Sequence, residues 1–334
     1  QRQGFYPTTA DTEPMTIPAA SAALSALPDT FTFAWVVAIL FAVAWGLDAR
    51  GSELGRSLAA GTWGLFGLFW LSTVPYFIFE HQSYVESILA LVAVPACVYV
   101  GYLLYDGRAS LFTLTRAVSI MFFIYLPFET IPALSLAGVA VPEPRQVLIE
   151  IVAGHTGALI DLLGYAPERV ASYEGYNAAF AWTLSDGHLM RINVVLACTG
   201  LGSMAIFGGL VAAVDGPLDR KLRALAVSIP LIYGLNILRT TFITVVAGNQ
   251  YMHWQPELVL AMFGATNPYR VSFLVSDRIL SQLLALVALI GITYLVARQL
   301  PELVVILEDV LYVLTGEEHD LTEALDLPRE PTNR

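Results

Sequence analysis

The chain is 334 residues long, 56% hydrophobic and only 13% charged, with a mean hydropathy of +0.65. This excludes a water-soluble domain of that size and marks a polytopic membrane protein. Its 28 acidic against 17 basic residues, with Lys221 the single lysine, exclude a nucleic-acid partner, which needs a basic stripe, and suit a surface hydrated at high ionic strength.

Residues 1–30, rich in Pro, Thr, Ser and Ala, read as a flexible extracytoplasmic lead-in whose apolar patch at Ile17–Leu27 is too short to span. The first residue is Gln1, so the start of translation is open, with Met15 one candidate; no basic segment precedes a strong apolar core, as a signal peptide requires. Apolar runs long enough to cross about 30 Å of hydrocarbon follow at roughly 31–47, 58–79, 84–105, 111–126, 197–214, 222–247 and 278–299. The fold class is therefore an all-α polytopic membrane protein of about seven transmembrane helices. Pro127–Val141, apolar but carrying Glu129 and flanked by prolines, is an extracytoplasmic or re-entrant piece, with an eighth span as the alternative.

Basic residues cluster in alternate loops: Arg50 and Arg56, Arg108 and Arg116, then Arg220, Lys221 and Arg223, and finally Arg298. Those loops face the cytoplasm, which puts the N-terminus, the 127–196 segment and the 248–277 loop outside and the C-terminus inside. Within 127–196, Glu143 to Leu163 can form an amphipathic helix with Leu148, Ile149, Val152, Leu159 and Leu163 on its apolar side. Two extended runs, Tyr176–Leu184 and His188–Leu196, meet at the turn sequence Ser185-Asp186-Gly187, as in a hairpin. Three parts result: 1–30 as lead-in, 31–300 as the membrane-embedded domain, and 301–334 as an acidic, amphipathic cytoplasmic tail with Leu303, Ile306, Leu307, Val310 and Leu314 in its apolar stripe.

The second extended run ends at Ala197-Cys198-Thr199-Gly200-Leu201-Gly202-Ser203. Cys198 is expected in the first turn of the following helix, where unpaired N–H groups and the helix dipole favour a thiolate and can hold an oxyanion. The competing reading is a buried cysteine packed among small residues, and Cys97, inside an apolar span, takes that role. No CxxC pair joins the two, so neither a metal cluster nor a thioredoxin-like site is expected, and no cofactor.

Arg239 lies inside the apolar run Ala224–Val246 with no carboxylate in its own helix, a placement costing a few kcal/mol and marking a functional or paired cation. It stands eighteen residues above Lys221, about 27 Å at 1.5 Å per residue, so it approaches the outer interface near Cys198. Asn236, three residues earlier, shares its face and is placed to orient it. Arg278, beside Asp277 at the outer start of the last span, reaches the same leaflet; a snorkelling arginine or a local Asp277–Arg278 pair is the bland alternative. A thiol beside two fixed cations can attack a peptide carbonyl. The candidate proton carriers are His188 on the hairpin and His253 in the 248–277 loop, though surface histidines more often have no such role; His81, His155 and His319 complete the set.

Ala197-Cys198-Thr199-Gly200 opening one span, Asn236-Ile237-Leu238-Arg239 in the next, and Ser272-Phe273 through Ser276-Asp277-Arg278 opening the last together resemble the exosortase/archaeosortase transpeptidases over roughly residues 30–300. The resemblance implies an integral-membrane cysteine enzyme acting on secreted proteins that end in a Pro-Gly-Phe motif, a transmembrane helix and a basic cluster. It implies a thioester on Cys198, release of the helix and transfer to a membrane phospholipid, with surface-layer glycoprotein as main substrate. By the same resemblance Cys198 is the nucleophile and Arg239 the oxyanion- or thiolate-stabilising cation. Arg278 falls where many members have histidine; an arginine stays protonated, so it fits electrostatic work and leaves the base unassigned. Two other readings stand beside this one: a transporter with an arginine-lined anion site, which would show broken helices in pairs or an internal repeat, and an intramembrane cysteine protease using water as acceptor.

Overall fold

The computed structural model describes residues 29–80, 84–136 and 139–321. The expected lead-in up to residue 28, His81 and the last part of the tail from 322 onward lie outside the described residues.

Four long apolar helices come first: α1 (Thr30–Asp48), α2 (Glu53–Pro75), α3 (Tyr84–Asp106) and α4 (Leu111–Thr130). Asp29 caps α1 by accepting from the Thr32 amide at 3.1 Å. The short links make neighbours antiparallel, and Phe33, Phe41, Trp63, Phe66, Phe69 and Phe122 interlock edge to face in their shared core. A polar pair sits inside this core, as a low-dielectric interior favours: the Trp63 indole donates to Thr115 Oγ1 at 2.9 Å. Pro127, taken above as the start of a non-spanning piece, instead lies within the last turn of α4, and a two-strand hairpin of β1 (Leu134–Leu136) and β2 (Val139–Val141) follows.

Next come α5 (Pro144–Leu162), β3 (Glu168–Val170), β4 (Ala179–Thr183) and β5 (Leu189–Asn193), the strands forming an antiparallel sheet in the order β3-β4-β5. The β4–β5 register pairs Phe180 with Ile192 and Trp182 with Met190, and Gly187, at φ +82°, supplies the left-handed residue the turn requires. The buried face of α5 is Ile149, Val152, Ala153, Thr156 and Ile160. It differs from the expected stripe because the helix packs into protein: small residues at 153 and 157 admit the sheet, and Phe180 lies against Gly157.

After the sheet, α6 (Leu201–Ala213), α7 (Leu218–Gly248), α8 (Pro256–Met262), the helical rod α9 (Pro268–Gln299) and α10 (Val304–Thr315) complete the described chain. Among the described residues, six helices, namely α1, α2, α3, α4, α7 and α9, are long and apolar enough to cross a membrane. The seventh expected span is represented by α6, whose 13 residues reach about 20 Å. The start of the apolar run is taken by the 3-10 turn Leu196–Thr199 and by Gly200, so the helix begins only at Leu201 and stays shorter than a full span. The head of α9 also begins ten residues earlier than hydropathy placed it: Pro268–Arg270 and Val271–Phe273 are already helical, and Leu274–Ser281 then winds as a π-helix through Asp277 and Arg278.

The loops carrying basic residues meet at one end of the bundle. Arg108 bonds Asp309 of α10 at 2.7 Å, donates to Glu318 at 2.9 Å and lies 3.9 Å above the Tyr312 ring. Arg116 reaches Asp215, and Arg220 reaches Glu302. The sheet and α5 occupy the opposite end. Among the six long helices α9 is the least covered: 17% of its apolar stretch is buried, against 50% for α7, its main packing partner.

Candidate active site

Cys198 sits where β5 gives way to α6. It is not in the first turn of the helix, as expected, but in the 3-10 turn Leu196–Thr199 that precedes it. Its amide donates back to Val195 O at 2.8 Å, and Thr199 Oγ1 closes the turn on Leu196 O at 2.7 Å. Gly200 then reverses the chain at φ +76°, and a Cβ there would lie 3.2 Å from the Asn236 side chain. Only glycine permits this tight corner. The result is a strand–turn–helix elbow with the half-buried thiol at its bend.

Asn236 does not orient Arg239. Its amide donates instead to the carbonyl of Cys198, and Thr240, one turn on, contacts the same oxygen at 3.3 Å while also reaching Asn236 O at 2.9 Å. One face of α7 thus fixes the cysteine's backbone. Thr240 was not singled out in the sequence; its i+4 spacing from Asn236 on an otherwise apolar helix is the signal that marks it.

Arg239 lies one residue round from that face. Its Nη2 donates to Asp277 Oδ1 at 2.7 Å, and Arg278 Nε stands 3.5 Å from Asp277 Oδ2. Asp277 is therefore shared between two arginines from different helices, rather than belonging to Arg278 alone. The side chains of Asp277 and Arg278 are each 15% exposed and that of Arg239 31%, so these charges act through a medium where they count for more than in water. All three act on the Cys198 sulfur. Of the three, the Asp277 carboxylate acts most strongly on the sulfur, and the two guanidinium groups act against it. The π-turns of α9 matter here, since the wider helix changes which side chains face α7. Ser272, fully buried, bonds Val246 O and the Met252 amide at 3.0 Å each and so ties the head of α9 to the end of α7.

The two histidines expected to carry protons stand elsewhere. His188 is at the hairpin tip, stacked on Tyr269 with ring centroids 3.9 Å apart; the run from His188 to Val194 is about 20 Å of extended chain. The Tyr269 hydroxyl donates to Asp186 at 2.5 Å, and this bond, followed by that from the His188 amide, holds the Asp186 carboxyl below its usual range. His253 lines a cavity of about 420 Å³ at the same tip with Trp182, Asp186, Gln250 and Tyr269. The geometry thus joins Cys198, Asn236, Arg239, Asp277 and Arg278 and leaves His188 and His253 apart from them.

Against this geometry, the family model described as transmembrane exosortase matches residues 27–270. Archaeosortase A of Haloferax volcanii is 53% identical over 294 residues, covering 88% of this chain and 97% of the relative. Archaeosortase A of Natronomonas pharaonis is 43% identical over 307 residues, covering 90% of this chain and 94% of the relative. No solved structure matches the chain.

Proposed function

Since the chain belongs to the transmembrane exosortase family, we propose that it is a membrane cysteine transpeptidase that removes a C-terminal sorting segment from secreted surface proteins. The observation that carries the reading is the placement of Cys198 at a fixed elbow beside Arg239 and Arg278, which share Asp277. The thiol gives up its proton, its sulfur adds to the scissile carbonyl carbon, and the oxyanion draws on the guanidinium charges. The carbon–nitrogen bond then breaks, the leaving nitrogen takes a proton, and an acyl thioester remains on Cys198. A hydroxyl or amine of a membrane phospholipid attacks the thioester, forms the new ester or amide, and returns the thiol.

The substrates in this reading carry a Pro-Gly-Phe motif, a transmembrane helix and a basic cluster, with surface-layer glycoprotein the main one. The site faces outward from the plasma membrane, with the N-terminus outside and the C-terminus inside. The clustering of Arg50, Arg108, Arg116, Arg220, Lys221 and Arg298 in alternate loops supports that orientation.

The test is Cys198→Ser in the native host, read by the intact mass and lipid label of a Pro-Gly-Phe-tailed surface protein. Retention of the C-terminal helix and loss of label at normal enzyme abundance is the expected result; unchanged processing would make Cys198 structural. In the wild type, a cleaved product carrying water in place of lipid would assign the hydrolytic alternative.

A further inference from the structure

The hairpin that delivers Cys198 ends in an open edge. The sheet order is β3-β4-β5, so β5 pairs on one side only. Its ladder fixes which groups look outward. Leu184 N–H donates to His188 O, Val194 N–H donates to Ala178 O, and Trp182–Met190 and Phe180–Ile192 lie between them in register. The even-numbered residues of β5 thus turn their amides and carbonyls toward β4, and Leu189, Arg191 and Asn193 turn theirs away. None of those outward groups has a hydrogen-bond partner among the described residues. The side chains of Leu189 and Arg191 are exposed while Met190 and Ile192 are buried, so the strand is anchored by one face and keeps its edge clear. At the Cys198 end, Asn193 Oδ1 is buried without a donor among the described residues.

From these observations, and resting on the cysteine transpeptidase reading, we infer that the free edge of β5 receives the extended segment of the substrate as an added strand that runs down to Cys198. Main-chain pairing suits substrates that share a short motif and differ upstream of it, because it reads backbone and leaves most side chains unread. It also sets direction. The chain of β5 proceeds through Cys198 into α6, and a substrate whose membrane helix follows its motif likewise enters the bilayer toward its C-terminus. The two strands therefore lie parallel, with alternate substrate residues turned toward Leu189, Arg191 and Asn193.

The test uses the full-length enzyme in lipid vesicles and a fluorescent synthetic peptide spanning the Pro-Gly-Phe motif and the residues upstream of it. Arg191→Pro removes an outward N–H and places a ring on the edge, and it leaves the β4 ladder intact because that amide does not face β4. Arg191→Ala removes only the side chain. Binding is measured by anisotropy with Cys198→Ser as the background, so that it does not depend on turnover. Arg191→Pro is expected to weaken the Kd by about tenfold or more, the loss of one or two hydrogen bonds, and Arg191→Ala by less than about twofold. A scan of single backbone N-methyl groups along the peptide, on the protein without the proline, is expected to weaken binding at every second residue. Equal Kd for Arg191→Pro at unchanged Tm, or a scan without that alternation, overturns the edge proposal. Cleavage by the Cys198→Ser enzyme overturns the nucleophile assignment instead.

Discussion

At the residue scale the proposed chemistry leans on Arg239, and its pairing with Asp277 gives a reason why lysine would not replace it. The guanidinium gives one nitrogen to Asp277 at 2.7 Å, and in the proposed mechanism the rest of its fork faces the oxyanion; an ammonium on a flexible stem offers a point charge without that fork. Arg239→Lys is expected to slow processing by about a hundredfold, comparable to removing an oxyanion-hole donor, with normal abundance. Single-turnover release of the sorting segment in vesicles measures it. Cys198, Arg239 and Arg278 could be singled out in the sequence because a thiol at a strand–helix junction and charges in apolar runs are conspicuous, and the structure brings the three together. Their connections were not. Asp277 is adjacent to Arg278 in the chain, which invites a local pair, and only the π-turns and the packing of α9 on α7 bring it to Arg239. Asn236 was placed in the site for the wrong reason: spacing pointed to Arg239, whereas its amide holds the Cys198 carbonyl.

The hairpin shows what patterning can and cannot supply at the scale of elements. Alternation and Ser185-Asp186-Gly187 located β4, the turn and β5, and the boundaries of α5 fell within one residue. β3 was invisible because its three residues, Glu168–Val170, are too few to show a period. The docking of the hairpin on α7 was also illegible, since it depends on a residue with no side chain. Trp182 lies across Gly248, where an added Cβ would come within 2.4 Å of the indole ring. Gly248→Ala is accordingly expected to destabilise the protein by about 1–3 kcal/mol through overpacking. It is also expected to slow processing, because β4 is paired to the strand that leads to Cys198. Thermal unfolding followed by tryptophan fluorescence, alongside turnover, separates this from Gly64→Ala, a control at a position with open space around the missing Cβ.

At the scale of the whole molecule, composition and hydropathy sufficed for the polytopic class and for the six long helices, because the bilayer admits few alternatives. They could not count α6, whose apolar run is shared between turn and helix. The tail was read as acidic and amphipathic, and the structure shows its anchor: Asp309 is 3% exposed and held by Arg108. Arg108→Ala would leave that carboxylate buried beside a single hydroxyl donor, Ser110, and is expected to cost about 3 kcal/mol, in line with broken buried pairs. Tm should fall, while processing at ambient temperature stays near normal, because the site lies at the other end of the bundle. Glu318, whose carboxyl is held below its usual range by the hydrogen bond from Arg108, adds stability above its unfolded pKa. That part is lost as pH falls through its folded value.

The sparse cover of α9 has a further consequence. The helix that brings Asp277 and Arg278 to the thiol touches mainly one neighbour, so lipid tails form much of its remaining surroundings and take part in setting its tilt. Bilayer thickness then becomes a variable of catalysis, since a tail region too thin or too thick tips α9 and draws Asp277 away from Arg239. Turnover in vesicles of graded acyl-chain length is expected to pass through a maximum, with Cys198 and α6, embedded among more helices, unaffected in their own packing.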